Sequence, residues 1–259
     1  MPWGLASSGH TKTYMLDITK FDVAHQAPFE YNAKDIEWLR LCISPERLKP
    51  YYVKARGEDF VAFQLYIRNS RLSASLFEVI QALEVGLRNR VHVRMTERLG
   101  TEEWWDSLPL FKDELNDIAK AQNNISSRLA EVRPGRVVAE LNFGFWVKLF
   151  AKSYEKKTWV PHLAYCFPAK LSRKVLHDRL TSLKELRNRI AHHETLLRRD
   201  PQKDYDDLLE TIGWLSPTLR RWVEASTDFS SIYAARIPKE PKKSSCGLRE
   251  EGPPAAPVD

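Results

Sequence analysis

Between Leu72 and Met95 the chain places an apolar residue every three or four positions: Leu72, Leu76, Ile80, Leu83, Leu87, Val91 and Met95. Only a helix gathers such residues onto one face, because each step turns the chain by about 100°. With Gly57 before the pattern and Gly100 after it, the spacing predicts one helix from about Asp59 to Leu99. A helix of that length cannot stand alone in water. Its apolar stripe must be covered along its whole length by other elements of the chain.

The remaining pattern supplies more helices and no competing period-two strands. Ile36, Leu39 and Ile43 predict a helix over Lys34 to Ile43. Ser44-Pro45, Asp200-Pro201 and Ser216-Pro217 each pair a capping side chain with a proline at the first helical position. They predict helices to about Ala55, Leu215 and Ala225. Phe111 to Val132 reads as a polar helix with Leu115, Ile118, Ile125 and Leu129 on one side. Val137 to Tyr154 is apolar on nearly every face, as in a buried central helix. Ser172 caps a helix expected to run from Arg173 to Arg198. The fold class is all-α, a bundle of roughly eight helices over residues 31–236. An irregular arm is expected over 1–30 and a disordered tail over 237–259.

Composition narrows the function classes. The tail carries equal numbers of acidic and basic residues, so the net charge of +6 lies in the folded body. That balance suits a polyanionic partner. The three cysteines (Cys42, Cys166, Cys246) are far apart and form no metal-type spacing. A disulfide framework and a structural zinc are therefore not expected, and no cofactor is implied. No apolar run approaches the roughly 20 residues that span a bilayer, and the first residues lack a signal-type core. The expectation is a cytoplasmic protein that engages no membrane.

One segment carries chemistry: Leu186-Arg187-Asn188-Arg189-Ile190-Ala191-His192-His193-Glu194. Arginine offers phosphate oxygens a fixed fork of donors and stays charged. Histidine exchanges protons near neutrality. RNA brings its own nucleophile, the 2′-OH, so these two side chains suffice to cleave it without a metal. The products would be a 2′,3′-cyclic phosphate and a 5′-OH. On a regular helix Asn188 and His192 share one side and flank the core stripe. That stripe comprises Leu176, Leu180, Leu183, Leu186, Ile190, His193 or Glu194, and Leu197. Arg187 lies at the stripe's other edge, about 140° from His192. A site using both needs a helix that begins or kinks near Arg187, or a second copy of the helix from a two-fold partner.

The pattern Arg-Asn-x-x-x-His at Arg187 to His192 is similar to the signature of the HEPN superfamily, many of whose members are RNases. Arg187 to Glu194 resembles the RNRIAHHE signature of the Abi-like family, the AbiD/AbiF-type abortive-infection proteins of bacteria. Ile43 to Leu48, Leu83 to Asn89 and Val138 to Trp146 are similar to that family's other blocks, in the same order. The resemblance spans roughly residues 15–230. It implies a HEPN-like helical domain, anti-phage defence, RNA as substrate or partner, and a small non-coding RNA as a further partner. Arg187 and His192 are then the catalytic pair. Asn188, His193, Glu194, Glu84 and Arg88 are supporting residues. Arg189, Arg198 and Arg199 are candidate RNA contacts.

Blander expectations stand beside these. His193 is expected to pack at the stripe edge, and Glu194 to pair with Arg198 one turn on. Glu84 and Arg88 either form ion pairs within their own helix or position the Arg187 segment. Leu87 to His92 echoes the motif, but its Arg-to-His spacing is one residue shorter, which makes it a supporting element. Three function readings follow: a metal-independent endoribonuclease acting as a homodimer, a silent scaffold that binds structured RNA, or the protein-binding half of a toxin–antitoxin pair.

Overall fold

A computed structural model describes residues 33–128 and 131–235. The arm over 1–30, the tail over 237–259 and Leu129 lie outside the described residues. Ten α-helices and several short turns account for the described chain, and no strand occurs among its residues. The fold is all-α.

Helices α1 (Ala33–Ile43) and α2 (Pro45–Lys54) meet at Ser44, whose hydroxyl accepts from the Arg47 N–H. Helix α3 (Asp59–Leu99) takes the bounds its apolar stripe predicts, about 60 Å of continuous helix. Gly100 ends it at φ 73°, a left-handed cap that glycine adopts without a Cβ clash. All seven stripe residues are buried. Around α3 pack α2, α5 (Pro134–Glu140), α6 (Phe143–Lys148), α7 (Arg173–Ala191), α8 (Pro201–Leu215), α9 (Pro217–Ser226) and α10 (Phe229–Ala234). α3 and α9 approach closely at Gly86, where an added Cβ would lie 2.8 Å from a Leu219 methyl.

Three expectations are corrected. The apolar run from Val137 to Tyr154 is not one helix. α5 stops at Glu140, and Asn142 starts α6 by accepting from the Phe145 N–H at 3.0 Å. The break lets Trp146, Phe145 and Phe150 fill a core with Trp104 and Trp105, which one straight helix facing all ways would not permit. α4 (Lys112–Ser127) is shorter than expected. It turns Ile118, Ala121 and Ile125 inward and leaves Leu115 exposed. Helix α7 ends at Ala191, seven residues before the expected Arg198. The short helix α10 was not anticipated; its Phe229 stacks on Tyr205 of α8.

Candidate functional site

Helix α7 begins where Ser172 accepts from the Val175 N–H, and it buries Leu176, Leu180, Leu183, Leu186 and Ile190. It runs unbroken through Arg187, so the motif arginine does not sit at a helix start. The helix stops inside the motif. The His193 N–H bonds the Ile190 carbonyl, and the Glu194 N–H reaches back to the Arg189 carbonyl, both at 2.9 Å. That pair of bonds is a Schellman cap, with His193 in the left-handed position (φ 55°) that glycine usually fills. Neighbours enforce the turn. The Arg47 guanidinium donates to the His193 carbonyl, and the Asn69 Oδ1 accepts from the Leu196 N–H at 2.7 Å. Arg189 pairs with Glu194 at 3.0 Å.

The early stop changes where several residues lie. His193 and Glu194 are exposed rather than on the stripe, and Leu196 is the residue buried after the turn, not Leu197. Glu194 pairs backward with Arg189. The expected i,i+4 partner Arg198 is out of helical register, and it is exposed. Asn188 and His192 are exposed together on the outer face of α7's last turn rather than beside the buried stripe.

Arg187 faces the other way, toward α3. Its Nε donates to the Glu84 Oε1 at 3.1 Å, in a half-buried ion pair. Glu84 therefore looks across to α7 rather than along its own helix. No other protein partner of Arg187 occurs among the described residues, so its Nη groups remain available to a ligand. Arg88 does not join this pair: it donates to the Ala139 carbonyl at 3.1 Å, while its buried Nε has no partner among the described residues. His92 accepts the Trp104 indole N–H at 3.0 Å. Burial lowers its pKa, against an opposing pull from Glu102. The echo of the motif is thus tied into packing. Arg199 is also committed, gripping the buried Asp204 with two bonds of 2.6 and 2.8 Å.

Two concavities adjoin the motif. One, about 380 Å³, is lined by Ser44, Arg47, Tyr51, Arg189, His193 and Glu194, among others. The other, about 510 Å³, lies between α3 and the end of α7, with Tyr66, Asn69, Ser73, Phe77, Ala191 and His193 on its walls. Sequence reasoning passed over Arg47, Asn69 and these walls. Arg47 does fall in the Ile43-to-Leu48 block, but nothing in that block says that its arginine reaches a carbonyl 146 positions away.

No group of three or more His, Cys, Asp or Glu side chains able to hold a metal occurs among the described residues. No described helix is long and apolar enough to cross a membrane. No curated protein and no solved structure matches the chain. A family model described as Abi-like protein matches residues 40–198, more than half of the chain and inclusive of the whole motif. The chain belongs to the Abi-like protein family.

Proposed function

We propose that the protein exerts an abortive-infection function, which membership in the Abi-like family supports, as a metal-independent endoribonuclease with a HEPN-type site, Arg187 and His192 being its catalytic pair. The observation that carries this reading is the Arg187–Glu84 pair. Glu84 holds one edge of the guanidinium at 3.1 Å and leaves the Nη end for phosphate. His192, exposed one turn away, has room to take the 2′-OH proton or protonate the leaving 5′-oxygen. Asn188 shares its face and supplies an amide to the same strand of RNA.

Arg187 and His192 leave α7 in different directions, one toward α3 and one into solvent. A two-fold partner would bring the histidine of one copy to the arginine of the other, so the working form in this reading is a homodimer. Arg189 and Arg198 are the nearby cations for the RNA backbone. Arg199 serves Asp204 instead. A small non-coding RNA is the further partner in this reading.

The test is incubation of the purified protein with single-stranded RNA in excess EDTA. Cleavage that persists supports the reading, and loss on chelation sinks the metal-free mechanism. RNA binding without any turnover would favour the silent scaffold instead.

A further inference from the structure

The larger concavity beside the motif has the chemistry of a base-recognition pocket. Tyr66 and Phe77, both half-buried on α3, offer aromatic faces at the spacing of about three helical turns. Small residues, Ala74 and Ala191, leave the space between them open. Asn69 gives the pocket a fixed polar group. Its Oδ1 is held by the Leu196 N–H at 2.7 Å, so its orientation is set, and its Nδ2 donors, which meet no acceptor among the described residues, are left for a ligand. At about 510 Å³ the cavity is in the size range of sites for small organic groups. Ala191 lies one turn from Arg187 on the same side of α7, which puts the pocket next to the proposed phosphate position.

Backbone strain lies beside it, on the neighbouring concavity. Three non-glycine residues have positive φ among the described residues, and two of them, Ser44 (81°) and His193 (55°), line the smaller concavity. Strain of this kind persists only where surrounding contacts enforce it, and it gathers at functional sites. Here Arg47 enforces it, and the result is an exposed imidazole on the ridge between the two cavities. Tyr51 of one cavity and Tyr66 of the other meet edge to face at 5.4 Å.

We propose that the cavity walled by Tyr66, Asn69, Ser73 and Phe77 binds one unpaired nucleobase of single-stranded RNA next to the cleavage point, with Asn69 setting base preference. This rests on the ribonuclease reading above. The base stacks on one of the two aromatic walls, Asn69 donates from Nδ2 to an acceptor on the base edge, and His193 borders the sugar. Arg47 is a positioning residue that acts through the His193 carbonyl.

The experiment uses the full chain and short, fluorescent, 2′-O-methyl oligonucleotides of A, C or U, which bind without being cut. Wild type is expected to prefer one of the three. Ala74→Trp, which fills the cavity from an exposed rim position, should weaken that binding by about tenfold or more. Asn69→Asp keeps the acceptor for Leu196 N–H but replaces the donors, so the order of preference among the three probes should change, as should the mapped cut sites on RNA. A merely structural role for Asn69 would alter stability and leave the order unchanged. Wild type that binds RNA without base preference, or variants with unaltered affinity and order, would overturn the pocket and leave the ribonuclease reading standing. Wild type that neither binds nor cuts RNA removes both.

Discussion

His92 and His192 are the same side chain in opposite circumstances. His92 is sheltered against Trp104 and depressed in pKa by burial, as His162 is by burial and by the nearby Arg98. A depressed histidine favours the neutral ring when folded. The unfolded chain therefore binds the proton first, and stability falls as pH drops below about 6.5, levelling only below the folded pKa. The paired carboxylates Glu131 and Asp178, whose pKa values lie below the ordinary range, enter only at lower pH. Urea denaturation at stepped pH should show wild type losing stability from about pH 7 to pH 5. His92→Asn, which keeps an acceptor for the indole N–H, should show a shallower slope, His162 supplying the remainder. An identical slope would mean that His92 is not sheltered as described. The same burial logic disposes of Cys166. Its thiol is pushed up to about 12, so it packs as a small apolar group and is no nucleophile at neutral pH.

At the scale of elements, four helix starts were legible in their caps, whereas the starts of α6 and α10 and one critical helix end were not. Ser44-Pro45, Ser172, Asp200-Pro201 and Ser216-Pro217 all cap as their side chains dictate, since an N-cap bond is local to three residues. Gly100 announces the end of α3 in the same local way. The end of α7 carries no such mark. His193 occupies the position of a glycine because Arg47 and Asn69, distant in sequence, fix the chain beyond it. The candidate site followed the same rule. The Arg187 and His192 motif was legible in the spacing, whereas the cavities and the grip of Arg47 arise only from packing α2 and α3 against α7. The Val137-to-Tyr154 break was missed because apolar residues on all faces hide where a helix stops. His193→Gly should therefore stabilise the fold by about 1 kcal/mol, by relieving the left-handed strain. Thermal melts would read it as a rise in Tm. A fall in Tm would show that the imidazole has packing value and that the strain is not stored for function.

For the whole molecule, the single long helix α3 is both the spine of the core and the back wall of the site. It carries Glu84, Phe77 and Asn69 on the side that meets α7. One wall of the site is thus part of the core, while its second half is proposed to come from another copy of the chain. That arrangement has a direct consequence. An equimolar mixture of Arg187→Ala and His192→Ala, allowed to exchange subunits, should recover roughly a quarter of wild-type cleavage, because half the dimers are mixed and each has one intact site. No recovery, with exchange demonstrated, would place both residues of a site on one subunit. The claim beneath all of this is that Arg187 and His192 cut RNA through its own 2′-OH. The direct measurement is the chemistry of the cut ends, with RNA and its 2′-deoxy counterpart incubated in EDTA with wild type, Arg187→Ala and His192→Ala. Wild type should give a 2′,3′-cyclic phosphate and a 5′-OH on RNA alone, and neither variant should cleave. Cleaved DNA, 5′-phosphate ends, or undiminished cleavage by either variant would contradict it.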